Sequence, residues 1–312
     1  MPTPTRRTVL RGLVLAGGAA MAATATGVAL ADDKRPKTYV FVHGTNSYSG
    51  FWTPYARELQ YRGHRCIAVD QPYHGAGAYI PESYQSQDLE ALATEPTPLG
   101  EIGLDDFAAH VEKSVRRAAK WGPVVLVGHS MGGASLSRVG DAVPELIAHL
   151  CYMAAYCCST ALPTIEECMT APESETAILP EGVVIGDPEV LGVNRYNFLG
   201  ASAEDLRMLK EMAWGDNSDA SFRAGLLSMQ PDESALVPAQ RAVGGAEGWG
   251  GIRRTYLRFG ADRLITPELQ DRMIAEADDL TPDNRFRVHD FDAPHFGPED
   301  VSDIVDVLAG LE

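Results

Sequence analysis

The chain has 312 residues, of which 45% are hydrophobic, and its 43 acidic side chains outnumber 26 basic ones, giving a net charge of −17 at neutral pH. Phosphate binding requires a basic face, so we do not expect nucleic acid as a partner. The length is sufficient for one large domain with a sizeable hydrophobic core.

Residues 1–31 are predicted to be an export signal of the twin-arginine (Tat) type. The pattern Thr5-Arg6-Arg7-Thr8-Val9-Leu10-Arg11 precedes a weakly apolar run that ends in the small-x-small sequence Ala29-Leu30-Ala31. A transmembrane anchor is the alternative, but a span needs roughly 20 strongly apolar residues and this run is rich in Gly, Ala and Thr. We expect cleavage after Ala31 and a secreted protein without a stable membrane anchor. Three arginines leave with the signal, so the mature chain, 32–312, carries a net charge of −20.

Strand and helix patterns alternate through the next part of the chain. The predicted elements are a strand at 38–42, a helix at 51–61, a strand at 66–70 and, after a long polar connection at 79–103, a helix at 104–121. Alternation at this spacing predicts an α/β fold with a mostly parallel sheet flanked by helices.

The strongest chemical signal lies at residues 124–133. Four apolar residues predict a buried strand, and Gly128-His-Ser-Met-Gly132 follows at once, before a helical run. A serine at such a strand-to-helix turn has a strained backbone, and glycines are needed where a Cβ would collide with a neighbouring strand or helix. An ordinary tight turn is the alternative. We expect Ser130 to be a nucleophile that is presented to a ligand rather than buried.

The remaining elements continue the alternation after one long interruption. Strands are predicted at 146–156, 253–259 and 285–291, with helices at 267–277 and 298–311. Residues 157–251, rich in proline, glycine and acidic residues, are predicted to form an inserted cap over the carboxyl end of the sheet, leaving a core at about 36–156 and 252–312. Four large apolar residues of the cap either line a ligand site or pack the cap against itself: Met208, Trp214, Phe222 and Met229.

The five cysteines do not show a metal-ligand spacing, and no cofactor or metal is expected. Cys66 and Cys151 lie in apolar strand-like runs and are interpreted as small buried side chains. Cys168 either pairs with Cys157 or Cys158 in an oxidising compartment or stays reduced, and the sequence leaves both outcomes open.

A serine nucleophile needs a histidine base and a carboxylate that holds the tautomer of that base. His295 follows the last predicted strand directly, so it projects from the same sheet edge as Ser130. Asp262 follows the preceding strand in the same way and lies too far before Pro267 to cap the next helix. Asp290 and Asp292 are the rival acids, and His74 is the weaker rival base.

An oxyanion site needs backbone N–H donors close to the serine. The N–H of Met131 begins the helix after Ser130, where the helix dipole favours negative charge. The N–H of Thr45, in the loop after the first strand, is the expected second donor. His43 is interpreted as ordering this loop rather than transferring protons.

Taken together, these motifs resemble the α/β-hydrolase superfamily over 38–311, including its chain order of Ser130, Asp262 and His295. The resemblance is carried by five segments: His43-Gly44 with Trp52 downstream, Asp70 to Gly77, Gly128 to Gly132, Asp262 to Pro267, and His295. The short core and the sequence after Asp262 are most similar to the branch of methylesterases and hydroxynitrile lyases.

That branch contains two chemistries, and two positions separate them. The resemblance implies that a lyase carries a threonine directly after the first-loop histidine and a lysine directly after the catalytic histidine. Here Gly44 and Phe296 occupy those positions. We therefore expect a hydrolase of small-molecule carboxylic esters or lactones that works through an acyl-enzyme. A lyase or other non-hydrolytic enzyme of the same fold and a non-catalytic binding protein are the alternatives.

Overall fold

The computed structural model describes residues 36–311. The predicted export signal, at 1–31, lies outside the described residues. Within 36–311, no helix combines the length and apolar character that crossing a membrane requires.

Eight strands and twelve α-helices make up the described chain, joined by loops and short 3-10 turns. The strands are β1 Thr38–Val42, β2 Arg65–Val69, β3 Val124–Ser130, β4 Ile147–Ala155, β5 Val193–Arg195, β6 Asp232–Ser234, β7 Arg253–Phe259 and β8 Arg287–Phe291. The helices are α1 Thr53–Tyr61, α2 Glu82–Ser86, α3 Leu89–Leu92, α4 Leu104–Ala118, α5 Gly132–Ala142, α6 Ile165–Met169, α7 Pro188–Leu191, α8 Ala203–Ala213, α9 Asp219–Ser228, α10 Leu236–Ala239, α11 Pro267–Leu280 and α12 Ser302–Gly310.

Six of these strands form one sheet in the order β2-β1-β3-β4-β7-β8. Every neighbouring pair is parallel, so the carboxyl ends of all six strands meet at one edge. β5 and β6 form a separate antiparallel pair. The predicted α/β fold with a mostly parallel sheet is confirmed.

Helices cover both faces of the sheet because successive strand residues point to opposite sides. Val40 and Val42 of β1 belong to the core cluster under α4 and α5, whereas Tyr39 and Phe41 belong to the cluster under α1 and α12. All four residues are fully buried, and burying each such side chain contributes roughly 1.5–3 kcal/mol. A rigid two-sided core therefore holds the strand ends in place.

The segment between β4 and β7, residues 157–251, does not pack as one separate unit. Near its two ends, Cys157 and Trp249 belong to the main core cluster. Its middle forms a cluster of its own, comprising Val183, Phe198, Leu209, Met212, Ala213, Trp214 and Phe222. Leu191 and Val193 from the same stretch belong to the main core cluster, and Leu264 and Phe296 pack against the separate one, so the inserted segment is tied to the sheet at several points.

The last helix begins later than the sequence predicted. Gly297 has a left-handed backbone with φ of 82°, and the chain continues as a loop past Pro298. The Asp300 carboxylate accepts the N–H of Ser302, the first residue of the helix.

Candidate active site

Ser130 is the last residue of β3 and has a left-handed backbone, with φ of 54°, where the chain turns into α5. A Cβ on Gly132 would lie 2.8 Å from the carbonyl oxygens of Val42 and His43, and one on Gly128 would lie 2.6 Å from Leu136. The glycines thus allow the close approach of strand, turn and helix that the sequence pattern predicted.

Ser130 is buried, and the expectation that the turn presents it openly was wrong. Its relative exposure is 2%, because the inserted segment and the His295 loop cover the turn. Phe296 stacks on Trp214 of the inserted segment, with ring centroids 4.5 Å apart. The hydroxyl faces a covered cavity and not bulk solvent.

The structure brings Ser130, at the end of β3, together with Asp262 and His295 from the loops after β7 and β8. His295 Nε2 lies 3.0 Å from the Ser130 hydroxyl, and His295 Nδ1 lies 2.7 Å from Asp262 Oδ2. A carboxylate only accepts, so Nδ1 carries the proton and the Ser130 hydroxyl donates to Nε2. Asp262 Oδ1 accepts the N–H groups of Leu264 and Ile265, both at 2.8 Å, which fixes the carboxylate.

Contacts on both sides hold the loop that carries His295. The Nε2–H of His129 donates to the His295 carbonyl at 2.8 Å, and the N–H of Phe296 donates to the Ala213 carbonyl at 2.9 Å. Burial, followed by the neighbouring His295, holds the pKa of His129 well below its usual 6.5, so this ring is neutral. The imidazole of His295 is therefore positioned by the turn on one side and by the inserted segment on the other.

The loop after β1, residues 43–48, which we call the β1 loop, passes directly in front of Ser130. A Cβ on Gly44 would lie 2.6 Å from Ser130 Cβ, so only glycine fits at this close contact.

His43 orders the β1 loop as expected. Its Nδ1–H donates to the Gly44 carbonyl at 2.9 Å, and its Nε2 accepts the Gln71 N–H at 3.0 Å. Burial, followed by the charge of His74, lowers the His43 pKa to about 4. Thr45 and Met131 both line the cavity beside Ser130.

The cavity has a volume of about 130 Å³ and a lining that is largely apolar. Its apolar side chains include Tyr196, Phe198, Met212, Leu226, Leu264 and Phe296. Of the four apolar residues singled out from the sequence, Trp214 and Met229 line the cavity, while Phe222 packs edge-on against Trp214. Within 36–311, the structure shows no group of three or more His, Cys, Asp or Glu side chains able to hold a metal ion.

The rival residues lie elsewhere. Asp290 and Asp292 are exposed, and Asp290 pairs with Arg258 at 3.4 Å. His74 is buried, and its Nε2 lies 3.2 Å from Glu233 Oε2 rather than near Ser130. All five cysteines, each within the described part of the chain, are free thiols, and Cys168 Sγ lies 3.9 Å from the Leu162 carbonyl oxygen.

Sequence reasoning missed Glu233, a cavity-lining carboxylate that is 1% exposed. It lies in the sequence Pro231-Asp-Glu-Ser, which has the composition of a surface turn. No sequence pattern marks it, because its partner His74 is 159 positions away along the chain.

The class of α/β-hydrolase folds is defined by a mostly parallel sheet with a serine at a strand-to-helix turn and with an aspartate and a histidine after later strands. This chain has all of these features. A profile of the Alpha/beta hydrolase family matches residues 39–307. The chain belongs to this family.

Esterases and methylesterases of plants are among the curated relatives of the chain. It is 25% identical to Esterase PIR7B of Oryza sativa subsp. japonica over 77% of this chain and 83% of the relative. It is 26% identical to polyneuridine aldehyde esterase of Rauvolfia serpentina over 77% of this chain and 83% of that protein. Methylesterase 2 of Arabidopsis thaliana is 24% identical over 78% of this chain and 86% of that protein.

Solved structures share the fold. One is an extracellular α/β-hydrolase from a Paenibacillus species, described as a structural and functional homologue of tobacco salicylic acid binding protein 2. It superposes with a TM-score of 0.63 at 16% identity, covering 88% of this chain and 99% of that one. The crystal structure of polyneuridine aldehyde esterase superposes with a TM-score of 0.62 at 19% identity, covering 88% of this chain and 99% of that one. The chain is thus an esterase-like α/β hydrolase.

Proposed function

We propose that the protein hydrolyses small carboxylic esters through an acyl-enzyme formed on Ser130. The observation that carries this proposal is the continuous hydrogen-bonded chain from the Ser130 hydroxyl through His295 to Asp262, at 3.0 and 2.7 Å. The esterase and methylesterase relatives support the same reaction class.

In the first half-reaction, the Ser130 oxygen attacks the ester carbonyl while His295 Nε2 takes its proton. Asp262 stabilises the resulting imidazolium through Nδ1–H. The N–H groups of Thr45 and Met131 are the proposed donors to the oxyanion. His295 then returns the proton to the departing alcohol, leaving an acyl group on Ser130.

In the second half-reaction, water attacks the acyl-enzyme while His295 again accepts a proton. The tetrahedral oxyanion uses the same two N–H donors, and collapse releases the carboxylic acid and restores the Ser130 hydroxyl. The covered position of Ser130 restricts bulk water around the charged intermediates, which strengthens these hydrogen bonds.

The cavity supports esters that carry a compact apolar group. A dry protein cavity of roughly 150 Å³ accommodates benzene, so the space of about 130 Å³ beside Ser130 suits a group near that size. The lyase alternative requires a positive charge for the departing cyanide. Phe296 occupies that position and stacks on Trp214, which favours hydrolysis. Lactones with the same apolar character remain within the proposed substrate class.

A Ser130→Ala variant tests the proposal. We expect it to lose several orders of magnitude in kcat for p-nitrophenyl acetate and butyrate, to keep its thermal unfolding transition, and to resist labelling by a fluorophosphonate probe. A parallel cyanohydrin-cleavage assay separates the lyase, and absent labelling of the wild type would favour a binding protein. Wild-type esterase activity in the Ser130→Ala variant would refute the proposal.

We further propose that the enzyme acts outside the cytoplasm after twin-arginine export. The support is the sequence pattern of residues 1–31 together with the acidic mature chain, a composition suited to a soluble surface.

A further inference from the structure

Glu233 is a buried carboxylate that the proposed mechanism does not use. It lies on β6, between Asp232, which binds Arg195 at 2.6 Å, and Ser234, whose hydroxyl donates to the Ile102 carbonyl at 2.6 Å. Glu233 Oε2 instead accepts the N–H of Asn46 in the β1 loop at 2.8 Å. This is a contact from the inserted segment to the loop in front of Ser130.

His74 provides the counter-charge for Glu233. Its Nδ1 lies 2.9 Å from the Pro72 carbonyl and its Nε2 lies 3.2 Å from Glu233 Oε2. Both ring nitrogens therefore face acceptors, which requires a doubly protonated imidazole.

The surrounding charges are consistent with an ionised pair. Burial alone would raise the pKa of Glu233, but the charge and hydrogen bond of His74 outweigh it and lower that pKa. Burial likewise lowers the pKa of His74, and the charge and hydrogen bond of Glu233 raise it above its usual value. Asp70 adds to this increase, and the neighbouring His43 ring, with centroids 5.0 Å apart, stays neutral.

The two peptide groups that flank Thr45 are both held by hydrogen bonds. The carbonyl of Gly44 accepts the His43 Nδ1–H at 2.9 Å and the Ser47 N–H at 3.4 Å, which fixes the peptide on one side. The Asn46 N–H, bound to Glu233, fixes the peptide on the other side. The Gly44–Thr45 peptide carries the Thr45 N–H and is held directly by His43, whereas Glu233 acts on it through the adjoining Thr45–Asn46 peptide.

Asn46 itself adopts a left-handed conformation, with φ of 55°, which residues other than glycine seldom occupy. Two further contacts to the inserted segment maintain it. The Asn46 amide donates to the Gln230 carbonyl at 2.8 Å, and the Gln230 N–H donates to the Asn46 carbonyl at 2.8 Å. An uncommon backbone conformation persists where surrounding contacts determine it, and here those contacts come from residues 230–233.

We propose that Glu233, held by His74, is a positioning residue that orients the Thr45 N–H toward the oxyanion formed at Ser130. This inference rests on the proposed ester hydrolysis. Under this proposal, turnover requires residues 230–233 of the inserted segment to be in place against the β1 loop, because these residues also position the loop that binds the anion. The positive charge of His74 offsets the carboxylate that would otherwise stand uncompensated near the oxyanion.

The test compares Glu233→Ala and Glu233→Gln with Asp141→Ala, using p-nitrophenyl butyrate. Asp141 is the matched control. Its carboxylate also joins core to inserted segment, by accepting the N–H groups of Gly245 and Trp249 at 2.9 Å, but it does not line the cavity. Losing an oxyanion donor lowers kcat by about 10²–10³-fold, so we expect Glu233→Ala to lower kcat by about 10- to 100-fold.

Three further readouts complete the expected result. KM of Glu233→Ala stays within about threefold, because the affected donor acts chiefly on the transition state. Glu233→Gln lowers kcat less than Glu233→Ala does, since its amide oxygen can still accept the Asn46 N–H at the Oε2 position, although its amide nitrogen then faces the Ser234 N–H. Asp141→Ala keeps wild-type kcat.

Folding is checked by the thermal unfolding transition of each variant. Should Glu233→Ala fail to fold, Glu233→Asp withdraws the carboxylate by one methylene and must lower kcat at least about tenfold. Wild-type kcat in the folded Glu233→Ala or Glu233→Asp variant, or a loss confined to KM, overturns the proposal. Failure of the hydrolase assignment itself would appear separately, as activity that survives Ser130→Ala.

Discussion

Replacing Asp262 by asparagine isolates the role of the buried carboxylate, because the structure dictates how the amide must orient. Oδ1 accepts two backbone N–H groups, from Leu264 and Ile265, so the amide oxygen has to occupy that position. The amide nitrogen then faces His295 Nδ1 across 2.7 Å and donates to it. The imidazole proton moves to Nε2, where it points at the Ser130 hydroxyl and prevents that nitrogen from acting as a base.

We expect kcat of Asp262→Asn to fall by about 10⁴-fold, or about 5 kcal/mol of transition-state stabilisation, the scale seen when a triad carboxylate is replaced by its amide. Both backbone bonds to Oδ1 survive, so the thermal unfolding transition should change little. Hydrolysis of p-nitrophenyl butyrate measures kcat. Asp292→Asn, an exposed aspartate in the same loop as His295, is the matched control and should keep full activity. A loss smaller than tenfold in Asp262→Asn would refute the tautomer argument.

Two further predictions come from the geometry and one from the sequence of residues 1–31. Gly44→Ala places a Cβ 2.6 Å from Ser130 Cβ, so the β1 loop must move, and kcat should fall by up to about 10²-fold in the same assay, whereas unchanged kcat would show that the loop can yield. The folded protein raises the pKa of His74 above 6.5 and lowers that of Glu233 below 4.5. Their contribution to the free energy of unfolding is therefore complete between about pH 4.5 and 6.5. It declines as pH rises through the raised pKa of His74 or falls through the lowered pKa of Glu233. Urea unfolding of wild type and of the His74→Gln/Glu233→Gln double variant across pH checks this, and parallel pH dependences would contradict it. N-terminal sequencing of secreted protein should begin directly after Ala31, and a start elsewhere would count against the export signal.

The positions of Ser130, Asp262 and His295 could be predicted because each lies at or just beyond the carboxyl end of a strand that the local sequence specifies. Parallel strands end at one edge, so residues directly after those strands meet regardless of their separation along the chain. The structure places the three side chains within hydrogen-bonding distance.

The burial of Ser130 and the role of Glu233 could not be predicted in the same way. Both depend on the path of the inserted segment, where short helices, loops and a two-stranded sheet follow no long periodic pattern. Trp214 contacts Phe296, and Glu233 contacts His74, across long separations in the chain. The pattern of a single sequence does not show which distant residues meet in this way. The cap was therefore predicted as a region, while its packing was not.

The division of the inserted segment into anchored ends and a separately packed middle has an engineering consequence. Cys157, Leu191, Val193 and Trp249 share the hydrophobic core of the sheet, whereas the apolar side chains from Phe198 to Phe222 pack in a separate cluster. Transplanting that middle portion between homologues should exchange the walls that select the ester while leaving the anchoring ends and the sheet intact. Such a chimaera would still need the Gln230 and Glu233 contacts, so a workable graft ends before residue 230.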